Sequence, residues 1–332
     1  MSVRASSSLV PAGALFHDDL LSRVLREMRL DSAMYRSLRL YGEWRLRFDG
    51  PLRGVHVVVA GRPQLELDDG TSYGLGPGDL VVLPRADAHT MSSSPTVRRT
   101  PYSSRSLAAE SGGFEAVLGE GKDPVRIVCG VFSFADESHP AVTGFPACIH
   151  VPANAQKAPW LAGLTQALIA EAFEPGPGSE VVMARLSDAL ITRGLRYHLE
   201  TAEEPGWLHA LRDPAISRAL AAVHTDLGRT WTVARLAEVA GLSRTGFAVR
   251  FVDLVGQSPM QYVFGCRMRR AEALLRDDRL TVAAIASQIG YGSESALSAA
   301  FVRHSGTTPG NFRRQTRDLP GRSATGSFLQ PK

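Results

Sequence analysis

Few residues of this 332-residue chain have types and spacing suited to specific chemistry, and most of them lie on two short helical patterns. In the first, Thr245, Ala248, Val249 and Val252 face away from an apolar stripe at Phe247 and Phe251, with Arg244 and Arg250 beside them. In the second, Ser295, Ser298, Ala299 and Val302 face away from Leu297 and Phe301, with Glu294 and Arg303 beside them. Guanidinium groups pair with phosphate oxygens or, bidentate, with guanine, whereas methyl-bearing side chains contact the methyl of thymine. Arg244, Arg250 and Arg303 are therefore expected mainly to hold phosphates. Base discrimination is expected to be modest, with thymine preferences near Thr245 and Val249, although Arg244, at a helix N-terminus, can still reach a base edge. Glu294 joins this set of outward side chains by position. Three cysteines, Cys129, Cys148 and Cys266, are too few and too odd in number for a disulfide framework. Cys129 sits in an apolar strand pattern and reads as an inert small hydrophobe; oxidant sensing through Cys129 and Cys148 is the less favoured alternative.

The elements that must position those side chains form an internal repeat. TVARLAEVAGLS at 232–243 recurs as TVAAIASQIGYGS at 281–293, and each copy runs on into a helical pattern that ends in Gly-x-x-Pro. The offset is 49 residues up to Gly241 and Gly290 and 50 from Ser243 and Ser293 onward, so the second turn carries one extra residue. Thr232 and Thr281 are N-cap candidates, because a hydroxyl accepts from an N–H that the first turn leaves unpaired. Val233, Leu236, Ala237 and Ala240 share a face, as do Val282, Ile285, Ala286 and Ile289, and both faces need a packing partner. Gly241 and Gly290 stand where the first helix must end in a left-handed residue. Ser243 and Ser293 cap the next helix, whose core face is Phe247, Phe251 and Leu254 in one copy, and Leu297 and Phe301 in the other. This is helix, tight turn, helix, twice in register.

The order I-A-x-x-x-G-Y-x-S-x-S from Ile285 to Ser295, followed by A-F, G-x-T-P and Phe312-Arg313-Arg314, resembles the AraC/XylS-type regulators over residues 212–316. The resemblance implies two helix-turn-helix units joined by a long helix, here Gln261 to Leu275, binding double-stranded DNA. That family often has Arg two positions before the core Phe, where this chain has Val249 and Ala299. Charge agrees with the assignment. Residues 1–211 carry 20 Lys+Arg against 24 Asp+Glu, whereas residues 212–332 carry 17 against 9, a local +8 that suits a polyanion. No apolar run approaches the roughly 18 residues of a membrane span, and the N-terminus makes a poor signal peptide. A cytoplasmic protein is expected.

Before the repeat the period changes. A short helix is expected over 18–28, then half-buried strands at Leu38 to Phe48, a meander through 54–70 and 76–91, and further strands at Val125 to Phe134 and near Ile149. Many short strands at close spacing indicate a small antiparallel sandwich or barrel. The Ser/Thr/Arg/Gly-rich segment 92–123 is long enough to be mobile or a cover over the barrel mouth. Two helices, 160–173 and 180–200, carry apolar faces (Leu161, Leu164, Leu168 and Ile169; Val182, Leu186, Ala189, Leu190 and Leu195) that a second copy of the chain or the barrel itself would cover. The stretch 78–93, with Gly78, Pro84 and His89, resembles the second cupin motif, and His56 is what remains of the first. Ala86 and Ser93 replace motif residues, Val58 stands where another imidazole ligand would be, and no Glu follows at the family spacing. With two imidazoles at most, the resemblance implies a sensor that binds a small-molecule effector near His56, Arg85 and His89, with no metal and no cofactor. In the same resemblance, the two helices serve dimerisation.

These readings combine into an α+β two-domain regulator of transcription. Residues 16–154 form an N-terminal antiparallel cupin-like β-barrel, 155–204 a helical dimerisation segment, 205–211 a linker and 212–316 an all-α double helix-turn-helix, between unstructured tails at 1–15 and 317–332. The expected partners are double-stranded DNA, a small-molecule effector and a second copy of the chain, with RNA polymerase a further candidate, and no catalytic residue is assigned. The rivals are a metal-dependent cupin enzyme fused to a DNA-binding module and a cysteine-based redox regulator.

Overall fold

The computed structural model describes residues 20–28, 30–136, 139–202, 207–276 and 279–317. The expected tails and the segment 203–206 lie outside the described residues, except Arg317, which closes the last helix. Two compact units result. Leu20–Glu27 groups with the helices from Ala210 onward, and Met28–His209 forms the other unit. The first helix, α1 (Leu20–Met28), was expected to open the sensor, yet it sits with the helical unit. There Glu27 Oε1 is 2.9 Å from Nδ1 of His224, whose Nε2 is 2.7 Å from the Tyr262 hydroxyl.

The sensor unit has eleven described strands: β1 (Leu30–Leu40), β2 (Arg45–Phe48), β3 (Arg53–Ala60), β4 (Gln64–Leu67), β5 (Ser72–Gly74), β6 (Leu80–Leu83), β7 (His89–Ser92), β8 (Tyr102–Ser103), β9 (Glu115–Leu118), β10 (Val125–Phe134) and β11 (Ile149–Val151). They form two sheets, ordered β11-β6-β3-β10-β1-β9 and β5-β4-β7-β2-β8. The expected closed antiparallel barrel is therefore an open two-sheet sandwich, and two of its pairs, β1 with β9 and β2 with β8, are parallel. The reason is segment 92–123. It forms β8, the helix α2 (Ser104–Ser111) and β9, and each short strand adds to a sheet edge instead of closing it. Between the sheets lies one apolar core that includes Leu38, Leu40, Trp44, Leu46, Val58, Leu65, Leu83, Met91 and Ile127, drawn from strands of both sheets, with Leu38 and Leu40 of β1 two apart as the two-residue period demands.

After a short turn of helix, α3 (Pro140–Thr143), and β11 come α4 (Leu161–Phe173) and α5 (Ser179–Thr201). The apolar face of α5 is covered by its own sheet. Met183, Leu190, Ile191 and Leu195 are buried where α5 lies on β1, β6 and β11, and a Cβ on Gly194 would stand 3.3 Å from Val82 Cγ2. Of the stripe expected to need a second copy, Leu190 and Leu195 face the sheet, whereas Val182 is exposed beside Val181. The expected linker 205–211 overlaps a helix, α6 (Trp207–Arg212).

The helical unit continues with α7 (Pro214–Thr225), α8 (Val233–Ala240), α9 (Arg244–Val255), α10 (Pro259–Leu275), α11 (Val282–Gln288), α12 (Glu294–Ser305) and α13 (Pro309–Arg317). Its helix starts are local. Asp213 accepts from the N–H groups of Ala215 and Ile216, Thr232 from Arg235, Ser243 from Gly246, Thr281 from Ala284 and Ser293 from Ala296. Ser258 forms a full capping box with Gln261, which starts the joining helix two residues earlier than expected. Gly241 and Gly290 take φ values of 71° and 81°, as a left-handed end requires. Gly290 is bound by space as well, since a Cβ there would meet the Gly228 carbonyl oxygen at 2.5 Å.

Candidate nucleic-acid interface and sensor core

Helices α9 and α12 hold the side chains singled out for DNA. The core positions fix their orientation. Phe247 and Phe251 of α9, and Leu297 and Phe301 of α12, are buried against α8 and α11, where Leu236, Ala237, Ile285 and Ala286 are also buried. Val255 completes the first stripe in place of the expected Leu254, which is only half-buried. The opposite faces are open. Arg244, Thr245, Glu294, Ser295, Ala299 and Arg303 are exposed, and Ala248 and Ser298 are half-buried at the edges of their faces. Val249 is 58% exposed and Val302 40%, large values for branched apolar residues on well-packed helices.

Several arginines are occupied in holding the unit together. Arg250, expected on phosphate, lies with Nε 2.7 Å from Oδ2 of Asp213, so it ties α9 to the capped start of α7. Arg218 donates to the carbonyl of Ala240 at the end of α8, Arg267 to those of Leu227 and Arg229, and Arg313 to those of Leu275 and Leu280. Fork-shaped donors suit carbonyls left unpaired at helix ends. The local +8 therefore overstates the charge free to meet a duplex, and only the tertiary contacts show which arginines are taken.

In the sensor, His56 on β3 and His89 on β7 come from different sheets and meet in the core, Nε2 to Nε2, at 3.0 Å. Cys129 is the register partner of His56 on β10, and its Sγ is 3.0 Å from His56 Nδ1. Phe48 stacks on the His89 ring at 4.7 Å between centroids. Burial draws the His89 imidazole down to about 4 despite an opposing contact to the Asp87 carbonyl. Burial, with His89 adding to it, holds His56 well below its ordinary value. Both rings are neutral, and one proton arrangement satisfies the chain: the Cys129 thiol donates to His56 Nδ1, and the His56 Nε2–H donates to His89 Nε2. Arg85 stands apart, half-exposed, with Nε 3.1 Å from Oδ2 of Asp87.

The residues do not fit a metal of the cupin kind. The two nitrogens that would face an ion bond to each other, Cys129 lies at the opposite edge of the His56 ring, and Val58 is a buried apolar residue. Among the described residues no group of three His, Cys, Asp or Glu side chains is placed to hold a metal ion. The thiols are poor nucleophiles as they stand: burial pushes Cys129 far above its ordinary value and Cys148 to about 12, against a weaker opposing bond from Tyr73.

Comparison with known proteins agrees with both halves of this geometry. The cupin family model matches residues 19–200 and a helix-turn-helix domain matches residues 236–315. A putative AraC-like transcription regulator of Streptomyces lividans is 36% identical over 301 residues, covering 89% of this chain and 98% of that protein. The chain belongs to the AraC-type transcription regulators. The regulator AlkR of Acinetobacter baylyi is 29% identical, over 90% of this AraC-type chain and all of its own length. A solved structure of the DNA-binding domain of AdpA with a target DNA shares 31% identity, covering 33% of this chain and 99% of that one, at a TM-score of 0.31. The chain is thus a DNA-binding regulator with an N-terminal cupin domain and a C-terminal helix-turn-helix domain, and its relatives are named as regulators of transcription. Among the described residues no helix is long and apolar enough to cross a membrane.

Proposed function

We propose that this regulator reads duplex DNA with the outward faces of α9 and α12, one in each of two major grooves about one helical turn apart, and that a small effector bound in the sandwich near His56 and His89 changes that binding without a metal. The observation that carries the reading is the pair of helix-turn-helix units with matching Thr and Ser N-caps, whose second helices expose their far faces, including Val249 and Val302. Arg244 and Arg303 hold phosphates, and Thr245, Val249, Glu294, Ser295 and Ala299 lie over base edges. Arg250 reaches DNA only when it releases Asp213. The sensor reading rests on two neutral imidazoles, His89 stacked on Phe48 and His56 edge-on to it, a site suited to an uncharged or aromatic effector; Arg85, turned to Asp87, is left out of it. Homodimer formation is part of the proposal, with the exposed Val181 and Val182 of α5 as its seat. No catalytic step is assigned.

The experiment is selection of bound sequences from random duplexes by the full-length protein, followed by titration of the enriched site over a range of salt. Affinity is expected to fall steeply with salt, because arginine contacts release counterions from phosphate. The enriched site is expected to be rich in thymine, and the protein as purified is expected to bind DNA after exhaustive chelation. An absence of salt-sensitive binding to any duplex sinks the reading. Stoichiometric zinc, iron or manganese that is lost on His56→Ala or His89→Ala sinks the metal-free sensor alone.

A further inference from the structure

The 49-residue offset of the repeat reaches back beyond the turns, to Arg218 on α7 and Arg267 on α10. These equal places in the repeat are used differently. Arg218 stays within the first unit: its Nε and Nη2 donate to the carbonyls of Val239 and Ala240, at 3.3 and 2.7 Å, where α8 ends. The matching carbonyls in the second unit belong to Gln288 and Ile289. Arg267 turns instead to the first unit, with Nε 3.0 Å from the Leu227 carbonyl oxygen and Nη2 2.8 Å from that of Arg229. Both acceptors lie in the loop 226–232 that leads from α7 into α8.

Two backbones meet beside that guanidinium. Gly228 sits between its two acceptors, and Gly290 follows the end of α11. Neither has room for a methyl. A Cβ on Gly290 would stand 2.5 Å from the Gly228 carbonyl oxygen and 2.6 Å from Arg267 Nη2, and a Cβ on Gly228 would stand 3.0 Å from the Gln288 carbonyl oxygen. Tyr291, packed on the core that α10, α11 and α12 share, has its ring centroid 5.7 Å from Arg267 Cζ. The loop before α8, the joining helix and the turn after α11 therefore close on one point.

A helix alone would join the two units through its ends, where the chain can still rotate. The junction adds a second strut between them, and a planar guanidinium with two fixed acceptors holds direction as well as distance. Close packing leaves no slack to absorb a rotation. On a duplex the consequence is geometric, since one base pair moves a half-site by about 3.4 Å along the axis and turns it by about 35° around it. A hinged pair of readers follows such a change, whereas a locked pair loses one of its two grooves. We propose that this junction makes the two helix-turn-helix units one rigid reader and sets the half-site spacing that the regulator accepts, with Arg267 as its positioning residue. The inference rests on the reading of α9 and α12 in two successive grooves. Arg267 touches no base in it and acts through the angle between the helices that do.

The test uses the full-length protein and the enriched duplex, with one base pair inserted into or removed from the DNA between the two half-sites. The wild type is expected to lose about tenfold or more in affinity with either change. In Arg267→Ala that loss is expected to shrink to about twofold, while the preferred base at each half-site stays the same. Loss of packing alone would weaken all duplexes alike and leave the spacing penalty in place. Arg218→Ala, at the same place in the repeat but bonded within its own unit, is expected to keep the wild-type penalty. Arg267→Lys, which keeps the charge and loses the fork, is expected to relax the spacing too, and it decides the matter should the alanine variant fail to fold. A wild type indifferent to one base pair, Arg267 variants as strict as the wild type, or equal relaxation in Arg218→Ala overturns the proposal while the protein still binds DNA. Absence of binding by the wild type to any duplex sinks the two-groove reading itself, and this inference with it.

Discussion

The two helix-turn-helix units share a backbone and differ in almost every side chain that faces outward. At the 50-residue offset the caps, the apolar faces and the left-handed glycines repeat: Ser243 with Ser293, Phe251 with Phe301, Gly256 with Gly306. Most outward positions do not, although the exposed Val252 recurs as Val302. Arg244 at the start of α9 corresponds to Glu294, Val249 to Ala299, Arg250 to the buried Ala300, and Asp253 to Arg303. A carboxylate in the first turn of a helix is stabilising and a guanidinium there is not, so α12 opens in the way that favours its own folding and α9 in the way that favours an anion. The repeat keeps what folds and varies the faces proposed to meet DNA. The two units are therefore expected to be unequal readers, the first anchored by charge and branched side chains, the second approaching closely through small ones.

The largest contrast expected is in the two turns. Gly290→Ala pushes a methyl to 2.5 Å from the Gly228 carbonyl oxygen in addition to the strain of its positive φ, and is expected to cost about 4 kcal/mol or more. Gly241→Ala meets nothing nearer than Arg218 Nη2 at 3.5 Å, so only the left-handed backbone is penalised, at about 1–2 kcal/mol. Urea unfolding of the full-length variants checks both, and equal losses would break the distinction between a turn limited by conformation and one limited by space.

Next is the carboxylate that serves only the first unit. Burial raises the Asp213 pKa, but the N–H groups of Ile216 and Ala215 and the Arg250 guanidinium outweigh it and leave the net value below the ordinary one. A depressed folded value means that the stabilisation is present above the unfolded pKa, about 3.9, and is lost as pH falls from there through the folded value. Asp213→Ala is expected to cost about 1–3 kcal/mol near neutrality, the cap and the Arg250 partner going together, whereas Asp213→Asn keeps a cap and flattens the acid limb below about pH 4. Circular dichroism melts across pH 3–7, roughly the span over which carboxylates titrate, check the sign. An acid limb unchanged in Asp213→Asn would remove the ion pair from the account of the first unit.

The smallest effects concern the opposed charges at the helix starts. Arg244→Ala is expected to weaken binding to all duplexes alike and to lower the salt slope by about 1, as loss of one phosphate contact does. Glu294→Gln is expected to strengthen binding slightly while costing about 0.3–1 kcal/mol of stability. Fluorescence anisotropy at several salt concentrations, with the unfolding midpoints alongside, reads both. If Arg244→Ala instead abolishes a preference for guanine at one position, the first helix reads bases with its guanidinium, and the expectation of thymine-directed methyl contacts fails.

The helical unit was legible because its determinants are local. A cap, a left-handed glycine and a period of 3.6 act within one turn of the chain, so Thr232, Ser243, Thr281 and Ser293 and the stripes they begin could be read in order. Strand β10 was legible at its full length for a similar reason, as a mostly apolar run interrupted only by Arg126, Gly130 and Ser133. What depends on partners distant in sequence was not. Strand β1 begins at Leu30, in a polar stretch whose alternation is broken by the bulge at Met34, and α2 lies in a segment rich in turn residues. Open sheets replaced a closed barrel because edge pairing is a non-local choice. Arg250 and Asp213 are 37 residues apart, and their union is invisible to any local period. His56 and His89 could be named from their motifs, but the approach of Cys129, the neutrality of both rings and the departure of Arg85 follow from strand register and burial. The chain by itself determined where helices start, stop and turn an apolar face, because those energies belong to neighbours along the backbone. Only the tertiary structure decided which charges remain available and which polar groups are shut away, because those energies depend on what the fold brings together.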